Sequence, residues 1–486
     1  MFSTFYKASL IKVVWLTVLV VLLQLSSGAL GPVIVLGGFV MALVGREQYA
    51  CMCYCLLPFL IIVNPCIFRV TSVYALSARF GVILLSAALL VKNGLGRGRG
   101  APILGLILYL FCAIFSSMGG YMPAISYLKI LNMAFFVLGL YIVSDAIAKK
   151  TVSFQSVREF VFAFSIFIIV GSVLTLSRPH IAYYVSVSNV LNDFGVDAAL
   201  TRLESLRQGE GLFCGMTNQS QALAPLLACL FGWVACDFIL VEKAHGWLHL
   251  ILLGITPVLM FMTRSRSALF SLGVGGALIL FYLLPKIKLT GRVMRRIRTA
   301  IACGCIAMLV AGGYVEVRSK GISKWLRKTT DVETDNRGLG EALTSSRMGK
   351  IADAMNDFSK NPFLGMGFQV GSWTPYMYQI GKNSLFSAPV EKGFLPTMIL
   401  GEGGVLGEMA FIIFLVSFYS GCKKRGYMAC ATLFTIELST NFAEATIFSP
   451  GGGGACFWVI SVLGGVAIDL SAKSCNYTGR LNGDIR

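Results

Sequence analysis

Long apolar runs separated by short polar or basic junctions dominate the chain. A spanning helix needs about 20 mostly apolar residues. Runs near Ile11 to Gly28, Leu30 to Val44, Tyr49 to Val63, Val73 to Val91, Ala101 to Phe115, Ile125 to Ile147 and Val157 to Leu176 meet or approach that length. Further runs follow near Gln219 to Leu240, Trp247 to Met262, Ser267 to Leu284, Ala300 to Val315, Phe394 to Tyr419, Met428 to Leu438 and Cys456 to Leu470. The pattern predicts about 12 to 14 spans, with 49–63 and 428–438 the weakest of them.

Basic clusters give the orientation. Lys92 with Arg97 and Arg99, the Lys149-Lys150 pair, the run from Lys286 to Arg298, and Lys423 to Arg425 fall at alternate junctions. Cytoplasmic loops collect Lys and Arg, so both termini are expected inside and the two long polar stretches outside. The expected organisation is N-terminal transmembrane helices over 1–176, a periplasmic loop over 177–217 and central helices over 218–315. A large periplasmic loop over 316–393, C-terminal helices over 394–472 and a cytoplasmic tail over 473–486 complete it. The fold class expected is all-α, a polytopic membrane bundle with one large external cap.

Composition agrees. Of 486 residues, 56% are hydrophobic and 13% charged, against about 25% charged in an ordinary soluble domain. The net charge of +18 follows from the positive-inside bias, and without a basic stripe interleaved with aromatics it gives no reason to expect nucleic acid. Most of the 14 cysteines lie in apolar runs, where Cys acts as a small hydrophobe. The Cys51, Cys53, Cys55 spacing fits neither a zinc knuckle nor a redox pair, so no metal is expected there, and no cofactor is predicted.

Several residues could carry chemistry. The 316–393 loop contains an amphipathic helical pattern opening at Arg347 and ended by Asn361-Pro362, then a glycine turn, Gly365-Met366-Gly367-Phe368. Arg347 reads either as a guanidinium aimed at a lipid-linked phosphate or as a solvated surface arginine. Arg264 and Arg266, in Thr263-Arg264-Ser265-Arg266-Ser267, fall at the external face against the charge bias. They read as anion partners or as side chains snorkelling to headgroups. Arg79, inside the fourth run, is a further candidate of this kind. Glu402, Glu408 and Glu437 are intramembrane carboxylates, a type that marks function, although Glu402 also suits a helix-orienting role. Of the three histidines, His180 falls in the outer loop, whereas His245 and His249 fall on the cytoplasmic side.

Three segments in order, TRSRSALFSLGVG from Thr263, RMGKIADAMNDFSKNPFLGMGFQVG from Arg347 and FLPTMILGEGGVLG from Phe394, resemble the O-antigen ligase and Wzy-type polymerase superfamily. The similarity covers about the C-terminal half and implies a GT-C-like, metal-independent glycosyltransferase of the bacterial inner membrane, with its active site on the periplasmic side. It implies an undecaprenyl-diphosphate-linked glycan as donor, contact with membrane lipids, and a flippase and a chain-length regulator as partners. Carried over residue by residue, Arg266 and Arg347 would hold the diphosphate; Arg264 and Arg79 are added as substrate contacts on grounds of their charge and placement, not by the resemblance. For a third family arginine Arg207, with Gly211 and Asn218, fits best, and Arg202 is the alternative. Family ligases carry a His-Asn pair shortly before the closing glycine motif; that place holds Gly393 and Phe394, preceded by Glu391-Lys392. Ligation therefore yields to polymerisation; Glu391 reads either as the base that deprotonates the acceptor or as a surface salt-bridge partner, and Lys392 as an added phosphate contact. Alternatives are transfer of finished glycan to lipid A core and flipping of the lipid-linked repeat, although no paired repeats with broken helices stand out.

Overall fold

The structure is a computed structural model that describes residues 4–26, 30–44, 48–68, 72–95, 98–149, 152–183, 212–241, 246–278, 339–372, 374–375, 394–442, 446–450 and 452–483. The described elements are helices: α1 (Thr4–Leu25), α2 (Gly31–Leu43), α3 (Gln48–Ile62), α4 (Ser72–Asn93), α5 (Leu106–Met118), α6 (Pro123–Ala148) and α7 (Phe154–Thr175). Then come α8 (Ser220–Leu240), α9 (Trp247–Met262), α10 (Arg266–Leu278), α11 (Leu339–Lys360), α12 (Leu395–Arg425) and α13 (Met428–Thr440). The last helix, α14, joins Gly453–Trp458, a π-helical turn Val459–Gly464 and Gly465–Gly483. Seven described helices are long and apolar enough to cross a membrane, so the chain is an all-α, multi-pass membrane protein.

Local sequence explains many of the ends. Pro123 and Pro396 stand in the first helical positions of α6 and α12, where a missing N–H costs nothing. Ser153 caps α7 by accepting from Ser156 N, and Gly426, at φ 67°, closes α12 in the left-handed conformation. Hydropathy alone ends α12 near Tyr419, but the helix runs on through Lys423, Lys424 and Arg425. Those cations lie in the last turn, where they favour the negative end of the helix dipole. Asp469 of α14 caps α13 from outside, its carboxylate accepting from Ala429 N and Cys430 N.

Exposure separates rim from centre. On α1, Ile11, Val14, Trp15, Val18, Val21, Leu22 and Leu25 are exposed while Phe5, Tyr6, Leu16, Val20 and Leu23 are buried. In a membrane protein the first stripe faces acyl chains and the second the bundle. The α14 helix is buried along most of its length and packs on α6, α7, α8 and α13. The weakly apolar runs at 49–63 and 428–438 are both helical and packed inside the bundle, α3 against α14 and α13 against α8 and α10.

Two departures from the sequence pattern bear on the site. The described end of the stretch expected outside, 212–217, enters the bundle: Phe213, Met216 and Thr217 are buried. Asn64 N donates to Met216 O at 2.9 Å and Asn218 N to Ile62 O at 2.8 Å, which pins this segment to the end of α3. The amphipathic helix is longer than its clearest periodicity, spanning Leu339–Lys360 rather than starting at Arg347.

Candidate functional site

The glycine turn after α11 plugs into α12. Gly404 interrupts α12 with φ 60° and ψ −162°, a conformation essentially confined to glycine. Such a break exposes backbone groups that lipid cannot satisfy, and the 362–367 turn satisfies them. Met366 N donates to Gly401 O at 2.9 Å, Gly367 N to Glu402 O at 3.0 Å, Val405 N to Pro362 O at 2.8 Å, and Leu406 N to Phe363 O at 3.2 Å. Ser116 Oγ of α5 also donates to Glu402 O. The fit leaves no room for side chains: a Cβ on Gly365 would stand 2.4 Å from the Glu402 carbonyl carbon, and one on Gly404 2.4 Å from that of Phe363.

The same turn is gripped by α5 and α6. Ser126 Oγ donates to Phe368 O at 2.8 Å, and the buried Lys129 donates to Gln369 O at 3.0 Å. Gln369 has φ 54°, and its side-chain amide donates to Phe448 O in the segment after α13. Asn441 ties that segment back: its Oδ1 accepts from Thr446 N at 2.7 Å and Ile447 N at 2.8 Å, and its carbonyl accepts from Leu395 N at 3.1 Å. One end of the bundle, the loop end, is thus a continuous hydrogen-bonded lattice.

Helix α11 lies across this lattice. It packs on α12, with the Ala354 carbonyl 2.8 Å from where a Cβ on Gly401 would stand. At its far end Tyr121 OH donates to Asp357 Oδ1 at 2.7 Å, and Lys360 Nζ donates to Tyr121 OH at 2.7 Å. That bond holds the Lys360 ammonium above its ordinary pKa, and burial pushes the Tyr121 phenol up. Met348, Met355 and Phe363 remain exposed.

The predicted site residues distribute as follows. Arg347 lies on α11. Arg264, half-buried with φ 53°, and Arg266, half-buried at the start of α10, stand at the loop end, where Phe213 N reaches Met262 O at 3.4 Å. A short ladder fixes that turn: Thr263 Oγ1 donates to Met260 O at 2.6 Å, accepts from Ser265 N at 3.3 Å, and Ser265 Oγ pairs with Ser267 Oγ at 3.0 Å. Asn218 stands at the same end, its Oδ1 buried with no hydrogen-bond partner. Arg79 is half-buried within α4. Arg207, Glu391 and Lys392 lie outside the described residues. His180 is exposed in the single turn Pro179–Ala182. Among the described residues, no group of three or more His, Cys, Asp or Glu could hold a metal ion.

Sequence reasoning passed over Lys129, Tyr121 and Asp357. Lys129 had a signal, a lone cation inside an apolar run; the other two are recognisable only once α11 is seated.

The opposite end carries a different constellation. Asp237 of α8 accepts from Arg158 Nε at 2.5 Å and Nη2 at 3.2 Å, and pairs with His249 Nε2 at 3.0 Å. His249 Nδ1 pairs with Tyr6 OH at 3.0 Å, and Arg158 lies 4.3 Å over the Phe5 ring. All of these side chains are buried, so the network fastens α1, α7, α8 and α9 and offers nothing to a substrate. No protein-family model matches this chain, and no curated protein matches its sequence.

Proposed function

We propose that the protein is an inner-membrane polysaccharide polymerase that joins undecaprenyl-diphosphate-linked oligosaccharide repeats into O-antigen, capsule or exopolysaccharide. The observation that carries this reading is the seating of the 362–367 turn in the α12 break. It makes the segments from Arg347 and from Phe394, two of the three that resemble the polymerase superfamily, into one rigid unit at the loop end. The third segment, from Thr263, opens α10 at that same end.

In the proposed reaction a sugar hydroxyl of one repeat attacks the anomeric carbon of the growing chain's reducing sugar. The new glycosidic C–O bond forms as the bond to the diphosphate breaks, and undecaprenyl diphosphate leaves with the bonding electron pair. The hydroxyl proton passes to a base, for which Glu391 is the first candidate. Arg266 and Arg347 would stabilise negative charge growing on the departing diphosphate, an electrostatic contribution that is large where water is scarce. Arg264, Arg79, Arg207, Asn218 and Lys392 would position the donor. The basic clusters at the other end, among them Lys423, Lys424 and Arg425, support a periplasmic orientation of the loop end with both termini cytoplasmic.

The test is incubation of the purified protein in detergent with a lipid-linked repeat unit, followed by a gel resolving glycan length. A ladder with released undecaprenyl diphosphate is expected. Single transfer appearing only when lipid A core is added would replace polymerisation by ligation, and intact substrate throughout would overturn the enzymatic reading.

A further inference from the structure

Away from the loop lattice, the centre of the bundle holds a carboxyl group that neither the fold nor the proposed reaction uses. Glu437, in α13, is 0% exposed. Its Oε2 lies 2.6 Å from Ser461 Oγ, whose single hydroxyl proton is also in reach of Phe457 O at 2.7 Å, and its Oε1 is buried with no hydrogen-bond partner. Its backbone carbonyl is already taken by Thr440 Oγ1 at 2.7 Å and Asn441 Nδ2 at 2.8 Å, so the open valence is the side chain's own. Burying a carboxylate without a compensating positive charge is prohibitive.

Among the described residues the neighbours supply no such charge. On α8 the ionisable group facing Glu437 is the Cys229 thiol, on α12 it is Tyr419, whose hydroxyl pairs with Thr435 at 2.8 Å, and on α13 itself it is Cys430. On α14, Asp469 is spent capping α13, and on α10 the one charged residue is Arg266, at the helix start. Among the described residues no ion pair includes Glu437.

The surface opposite is unusual in the same place. Ser461 lies within the π-helical turn Val459–Gly464, a rare geometry found mostly at functional positions. Trp233 of α8 meets that turn as well, with Nε1 2.6 Å from where a Cβ on Gly464 would stand, and that N–H is buried with no acceptor. Two unpartnered polar atoms on different helices therefore face one turn whose backbone departs from the α-helical ladder.

We infer that Glu437 and Ser461, meeting between α13 and the π-helical turn of α14, form an intramembrane site for a monovalent cation, a proton or Na⁺. The carboxylate supplies the charge, and the Ser461 oxygen completes one side of the site. Ile436, the adjacent residue, packs against Gly232 of α8 and Gly275 of α10. This reading is independent of the glycan chemistry.

The experiment uses the full-length protein in detergent. In the first arm, thermal unfolding is compared in NaCl and in choline chloride at equal ionic strength, because a ligand bound only by the folded state raises the midpoint. In the second, the infrared carbonyl stretch of a protonated carboxyl is followed from mildly acid to mildly alkaline pH. A Na⁺-dependent rise in midpoint that disappears in Glu437→Gln and shrinks in Ser461→Ala identifies the cation as Na⁺. A titrating carboxyl band lost in Glu437→Gln, without a Na⁺ effect, identifies it as a proton. Should Glu437→Gln fail to fold, the wild-type readings and Ser461→Ala still decide. A wild-type protein that shows neither a Na⁺ effect nor a titrating carboxyl band overturns the inference.

Discussion

The two ends of the bundle solve the same problem in opposite ways. At the basic end, polar groups within the bundle are matched by side chains: Arg158, Asp237, His249 and Tyr6 form a closed chain of partners from four helices. At the loop end, the broken α12 is matched by backbone, through the 362–367 turn. Arginines stand at its margin half-buried, as Arg264 and Arg266 do. A buried charge with all its valences used inside the protein fastens helices. Arg264 and Arg266, at the same end as the backbone platform, keep part of their surface exposed, and under the proposed function the chemistry is expected there.

The comparison breaks most sharply at Asp237. Asp237→Ala would leave Arg158 charged and buried with neither carboxylate bond, and is expected to destabilise the protein by about 3–5 kcal/mol. Chemical unfolding in mixed micelles measures this; a change below about 1 kcal/mol would mean that the network carries little of the fold. At the other end, Arg266→Ala and Arg347→Ala should each slow glycan elongation by about 10²–10³-fold, the scale for a lost transition-state donor. Their unfolding curves should overlie that of the wild type.

Gly404→Ala sharpens the role of the platform. A Cβ there meets the Phe363 carbonyl, and the backbone adopts a conformation that L residues avoid, so about 1–3 kcal/mol of strain is expected. Faster proteolysis within α11 should accompany a drop in elongation. If elongation is unchanged, the plugged break has no part in activity. The smallest effect belongs to Tyr121→Phe, which removes the hydroxyl shared by Asp357 and Lys360 and should cost about 0.5–1.5 kcal/mol. Because the Lys360 pKa is raised in the folded protein, its contribution is complete below the ordinary lysine value and fades as pH rises through the folded one. Protection of α11 from proteolysis in the wild type should follow that course, and Tyr121→Phe should flatten it.

Much of this architecture is legible in the residue pattern. The runs that became α1, α4, α6, α7 and α8 are long and apolar, and lipid leaves such runs no structure but a helix. The Asn361-Pro362 stop and the Gly365-Gly367 turn were also readable, because proline and glycine restrict the backbone locally. Where that turn docks was not: α12 contains Gly401, Gly403, Gly404 and Gly407, and only the approach of Pro362 and Phe363 selects Gly404 as the break. The quartet at the basic end was equally hidden, since Tyr6 and His249 lie 243 positions apart and neither sits in a motif. A signal existed in Arg158 and Asp237, charges within or beside apolar runs, whose mutual pairing the hydropathy pattern could not supply.

The most direct test of the division between a working end and a fastening end is a paired measurement of elongation and unfolding on Arg266→Ala and His249→Gln. The account predicts that Arg266→Ala loses elongation at unchanged stability, whereas His249→Gln loses stability while each folded molecule elongates at the wild-type rate. The reverse pattern, with elongation surviving Arg266→Ala and failing in folded His249→Gln, would contradict it.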